Sequence, residues 1–189
     1  LRLYNELSRI GSQISTERPS AETIFVMPDT WRLGAPAGLA HTSLMNALEC
    51  LLAASIRFDV ANEADLAKVV ERQPRLVIMP LAYALPDAAV EQLLRLAENG
   101  ACVYLSGDPS ITPLAKRDPA RLERLLGVRF VSEVVNNAGL PVAEIAPLDS
   151  APLENAKGPR AFRRSVVSGS IIWTPDPWEV FAQHDLFVN

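Results

Sequence analysis

The sequence predicts an α/β domain with a doubly wound, mostly parallel sheet. Three observations carry this expectation. Short apolar runs, TIFVM at Thr23–Met27, LVIM at Leu76–Met79 and ACVYL at Ala101–Leu105, are too short for helices and fit strands buried on both faces. Stretches with helical apolar spacing stand between them. Strands joined through helices need crossover connections, which place helices on both faces of the sheet.

Taken in order, Leu3, Leu7, Ile10 and Ile14 predict an amphipathic helix from Leu1 to about Ser15. Thr16 to Ser20, with Pro19, reads as a linker. Residues 1–18 are therefore expected to be a helix and linker from a preceding domain, and residues 19–189 the α/β domain. The first strand, Thr23–Met27, runs into a loop rich in Gly and Pro from Pro28 to Gly38. Leu44, Leu48, Leu51 and Leu52 mark a helix ending near Ser55, and Ile56–Val60 reads as the second strand. Asn62 is a candidate cap for a short helix with Leu66, Val69 and Val70 on its apolar face. Leu76–Met79 is the third strand, ended by Pro80.

Pro86 and Asp87 suit a first helical turn, because proline needs no N–H there and a carboxylate meets the positive end of the helix dipole. Val90, Leu93, Leu94 and Ala97 give the stripe, and Asn99-Gly100 the stop. Ala101–Leu105 is the fourth strand. Asp118 before Pro119 caps a helix with Leu122, Leu125 and Leu126 on its inner face, ended by Gly127. Val128–Val135 reads as a further strand. Beyond it, Val142–Ile145, Arg164–Ser168 and Ile171–Thr174 are expected to add strands at the sheet edge.

Composition narrows the function classes. The 189 residues suffice for one domain with a buried core, and 49% hydrophobic with 21% charged residues is a globular balance. The formal net charge is −4 and the sequence pI about 5.3, so there is no basic footprint for nucleic acid. The densest arginine groups, Arg121/Arg124 and Arg163/Arg164, make no stripe and read as solvated surface charge. Two cysteines, Cys50 and Cys102, are too few for a disulfide scaffold or a zinc site and are expected to be buried free thiols. His41 and His184 have no ligand-like spacing, so neither a metal nor a cofactor is expected. No stretch reaches the ~20 apolar residues of a membrane span. No signal-peptide pattern occurs, and a cytoplasmic location is the expectation. The sequence opens on Leu1 rather than Met and reads as a piece of a longer protein.

In doubly wound sheets, ligands gather beyond the carboxyl ends of the strands. After the first strand comes Asp29, able to accept hydrogen bonds from a sugar, and Trp31, able to stack on one; the plain alternative is a loop tryptophan packed on a neighbour. After the fourth come Ser106, Gly107 and Asp108. A nucleophile elbow needs G-x-S-x-G, but Tyr104 and Asp108 stand at the two glycine positions about Ser106. No histidine is in a convincing base position, so Ser106 and Asp108 read as turn residues. Asp29, Trp31, Ser106 and Asp108 together form the candidate ligand crevice, with no catalytic residue assigned. No dinucleotide or P-loop glycine pattern occurs, and no carboxylate pair stands out for glycoside hydrolysis.

Several stretches together resemble a known module. LYNEL at Leu3–Leu7, a linker and TIFVMPD resemble the segment leaving the catalytic barrel of family-42-type glycoside hydrolases. RLVIMPLAYALPDAAVEQLLRLAENGACVYLSGD is similar to the trimerisation domain of those β-galactosidases, and LERLLGVRF and Ile172–Pro177 resemble its later segments. The resemblance covers roughly Leu1 to Glu179. It implies a class I glutamine amidotransferase-like fold, a flavodoxin-like variant. True amidotransferases carry G-x-C-x-G at the fourth strand's exit, where this sequence reads Tyr104-Leu105-Ser106-Gly107-Asp108, without the cysteine. The resemblance thus implies a non-catalytic oligomerisation or accessory domain of a glycoside hydrolase, partnered by further copies of itself and by a catalytic barrel outside this chain. Two other readings stand beside it: a sugar or small-ligand binding module using Asp29 and Trp31, and an amidotransferase-like hydrolase with a nucleophile displaced to Ser106.

Overall fold

The computed structural model describes residues 21–29, 37–135, 141–153, 161–177 and 179. The expected N-terminal helix and linker, most of the Pro28–Gly38 loop, Trp31 and His184 lie outside the described residues.

A seven-stranded sheet forms the centre. Strand β1 (Thr23–Met27) lies between β2 (Phe58–Asn62) and β3 (Leu76–Met79), parallel to both. Strand β4 (Cys102–Ser106) pairs parallel with β3 and with β9 (Gly169–Thr174). This is the mostly parallel, doubly wound sheet expected of the sequence. Ile24, Phe25 and Val26 are all fully buried, as a central parallel strand requires.

The C-terminal strands extend the sheet edge. From β9 the sheet continues antiparallel through β8 (Ala161–Val166) to β7 (Ser150–Leu153), completing the order β2-β1-β3-β4-β9-β8-β7. Two details differ from expectation. Ile171–Thr174 is not at the rim but an interior strand, because β8 and β7 lie outside it. Val142–Ile145 belongs to β6 (Pro141–Pro147), which pairs only with β5 (Val128–Val135) in a separate antiparallel ribbon among the described residues. Val128 and Ala143 of the ribbon join the main core, while Val131, Val134 and Val135 are exposed.

Helix α1 (Ala37–Ala53) packs Leu44, Ala47 and Leu51 on Phe25. On the opposite face, α2 (Leu66–Glu71) buries Leu66 and Val69, and α3 (Asp87–Glu98) buries Val90, Leu93 and Ala97 along its predicted stripe. Helix α4 (Pro119–Arg121) widens into a π turn over Leu122–Leu126 and stops at Gly127, which is left-handed at φ 64°. Asp118 caps α4 by accepting from the Ala120 N–H at 3.1 Å. Asn62 stands at the start of a 3₁₀ turn but makes no side-chain cap, and Pro86 occupies the cap position of α3 rather than its first turn. The second strand begins two residues later than expected, because the Ile56 N–H closes the end of α1 on the Leu51 carbonyl at 3.0 Å.

Gly169 starts β9 where no larger residue fits. A Cβ there would lie 2.3 Å from the Ala101 carbonyl oxygen and 2.4 Å from that of Ala97. The close approach lets the Ser170 N–H reach the Ala101 carbonyl at 3.1 Å and sets the β4–β9 register.

Candidate functional site

The polar groups converge at the carboxyl ends of β3, β4 and β9. Strand β4 ends on Ser106, and the chain then turns at Gly107 with φ 86°. The Gly107 N–H donates to the Thr174 carbonyl at 2.9 Å, and its own carbonyl accepts from Trp173 Nε1 at 2.7 Å. A Cβ at Gly107 would fall 2.4 Å from Tyr83 Cε2, so both the backbone and the Tyr83 ring demand glycine.

Ser106 is fully buried. Its Oγ accepts from the Leu81 N–H at 2.8 Å, and its carbonyl accepts from the Ala82 N–H at 2.7 Å. Leu81 has φ 55°, a left-handed conformation that costs a branched residue energy and persists only where its surroundings hold it. Ser106 is one of those holds.

Asp108 is fully buried too and organises the loop that comes after it. It accepts from the Ser110 N–H at 3.0 Å and from the Ser110 hydroxyl, and pairs with Arg117. Arg117 also reaches Glu133 on β5 and stacks over the Phe130 ring, 4.7 Å from its centroid. One guanidinium thereby ties the ribbon to the mouth of the sheet.

A second cluster lies between β4, β9 and α1. Tyr104 Oη is 3.2 Å from Thr174 Oγ1 and donates to Glu179 Oε1 at 3.2 Å, while Asn46 Nδ2 donates to the Glu179 carbonyl at 2.6 Å. Glu179 is 1% exposed. Burial pushes its carboxyl up to about 7, against the opposing pull of the Ser106 and Tyr104 hydroxyls. Burial, and then the charge of Glu179, push the Tyr104 hydroxyl well above its ordinary range.

Of the residues the sequence singles out, Ser106 and Asp108 come together at the exit of β4, both enclosed. Asp29 sits half-buried at the exit of β1, beside the point where the strand order reverses between β1 and β3. Sequence reasoning does not reach Tyr104, Glu179 or Arg117. The partners of Tyr104 and Glu179 lie on other elements, those of Arg117 lie along its own loop and on β5, and no local pattern marks any of the three. Among the described residues no group of three or more His, Cys, Asp or Glu is placed to hold a metal. Cys50 and Cys102 are free and only part-buried. No described helix is long and apolar enough to cross a membrane.

No family model matches the sequence, and no curated protein matches it. Solved structures do. A β-galactosidase from Bacillus circulans sp. alkalophilus superposes with a TM-score of 0.70 over 98% of this chain and 32% of its own, at 14% identity. The chain shares its fold. A GH42 β-galactosidase from G. stearothermophilus gives 0.64 over 92% of this chain and 31% of its own, at 14% identity. An exo-β-1,4-mannosidase from Opitutaceae bacterium strain TAV5 gives 0.62 over 95% and 35%, at 13% identity. The chain thus spans about a third of the length of each of these solved proteins. The resemblance read from the sequence is met at the level of fold.

Proposed function

We propose that this chain is a non-catalytic accessory domain of a carbohydrate-active glycoside hydrolase, serving to hold subunits together. The observation that carries the reading is the match of nearly the whole chain to one third of β-galactosidase chains. The exit of β4 supports its non-catalytic part. In an elbow the nucleophile occupies the strained turn residue. Here the left-handed turn residue is Gly107, which has no side chain, while the hydroxyl before it is enclosed and holds Leu81. That geometry speaks against a nucleophile displaced to Ser106. Asp29, beside the strand-order reversal, keeps sugar binding as a second reading.

Light scattering over a concentration series tests the assembly role. The expected result is a mass above the 20.6 kDa of one chain that rises with concentration. A single-chain mass throughout would remove self-assembly from the reading. Hydrolysis of a nitrophenyl β-galactoside by this chain alone would remove the non-catalytic part.

A further inference from the structure

The α1 side of the sheet carries a cleft. Alternate residues of β3, β4 and β9 (Ile78, Cys102, Tyr104 and Ile172 among them) face α1 and are only part-buried. Their opposite-facing neighbours Val77, Met79, Val103 and Leu105 are fully buried. The register sets Ile78, Tyr104 and Ile172 side by side as a floor. With Ala47 and Cys50 of α1 and Ala54 just after it, they bound a space of about 310 Å³, at the small end of ligand pockets.

Among the described residues, Glu179 is the one charged group lining this space. Tyr104 occupies its Oε1 and the Ser106 hydroxyl also pulls on the carboxyl, but its buried Oε2 makes no hydrogen bond of ordinary geometry among the described residues. A buried carboxylate oxygen left without a donor is costly, and a ligand that brings a donor relieves that cost. No described lysine or arginine lines the cleft, and among the described residues the titratable groups facing Glu179 are Tyr104 from β4, Cys50 from α1 and Tyr83 from the loop after β3.

We propose that this cleft binds a small primary amine with an aromatic or branched apolar body, its ammonium on Glu179 Oε2 and its body on Ile78, Cys102 and Ile172. An anion would meet the carboxylate and the closed Tyr104 hydrogen bond. A sugar would leave most of its hydroxyls against aliphatic side chains, unpaired. An amine satisfies the carboxylate oxygen that is open among the described residues and buries the rest. Amine binding in this cleft is independent of the assembly role.

The test titrates the full 189-residue chain with 2-phenylethylamine and, separately, with phenylacetate, at pH 8 by ligand-observed NMR. The expected result is saturable binding of the amine and none of the acid. Glu179→Gln should weaken the amine at least tenfold. Cys50→Phe, which narrows the cleft from α1, should abolish binding while the circular dichroism spectrum is kept; it decides the matter if the first variant fails to fold. Absence of saturable amine binding, equal binding of phenylacetate, or wild-type affinity in a folded Glu179→Gln or Cys50→Phe variant would overturn the proposal.

Discussion

Arg117 pairs at once with Asp108, whose side chain is 1% exposed, and with Glu133, whose side chain is 49% exposed. The two halves of this bridge differ in worth. An exposed pair contributes about 0–1 kcal/mol, because water screens it and the side chains lose freedom. Removing the partner of an enclosed charge strands that charge, at a cost of about 3–5 kcal/mol. Arg117→Ala should therefore destabilise the chain by about 3 kcal/mol in urea unfolding, and Glu133→Ala by less than about 1 kcal/mol. Asp108→Asn combined with Arg117→Ala should recover part of the loss, since the stranded charge is then gone. Equal losses from Arg117→Ala and Glu133→Ala would contradict this account.

Gly107→Ala meets two obstacles that can be separated. The left-handed backbone costs a residue with a Cβ about 1–2 kcal/mol, and overpacking against a ring adds about 1–3 kcal/mol. The expected total is about 3 kcal/mol. Adding Tyr83→Leu should return the packing part and leave the backbone part. A double-mutant cycle without coupling between the two positions would show that the Tyr83 ring yields to the new methyl group.

Ser106→Ala separates a structural hydroxyl from a nucleophile. The change leaves the buried Leu81 N–H without its acceptor and should cost about 1–3 kcal/mol, read as a lower unfolding midpoint. A serine-directed fluorophosphonate should leave the wild-type chain unlabelled, since the Oγ is enclosed. Stoichiometric labelling at Ser106 would restore the displaced-nucleophile reading.

How far the sequence could be read differs from element to element, for physical reasons. Strands β1 and β3 match their predicted limits, Thr23–Met27 and Leu76–Met79, because an unbroken apolar run bounded by proline has no other stable use in a chain of this kind. Asp118 and Gly127 end α4 and its π turn as read, since capping is chemistry within a few residues. The place of β9 beside β4 was not legible. Periodicity marks Ile171–Thr174 as a strand, but its neighbour is decided by contacts made about seventy residues away, such as Tyr104 with Thr174. The site divides the same way. Ser106 and Asp108 stand out at a strand exit, whereas Glu179 acquires its character from burial and from Ser106 and Tyr104, the latter separated from it by 75 positions.

Glu179 also sets a pH dependence with an unusual sign for a carboxyl group. Its folded value is raised to about 7 from an ordinary 4.5, so between those values the folded chain holds a proton that the unfolded chain has released. Stability from this group is fully present below pH 4.5 and is lost as pH rises to about 7, by up to about 3 kcal/mol. Asp59 works the other way: hydrogen bonding from Arg72 lowers it, and its contribution is lost as pH falls below the ordinary 3.8. Thermal unfolding between pH 4.5 and 8 should therefore show a falling midpoint in the wild type. Glu179→Gln, which keeps the shape and cannot ionise, should flatten that slope and melt higher than wild type at pH 8. A wild-type slope unchanged by the substitution would place the titration on another group and leave the Glu179 carboxylate charged throughout.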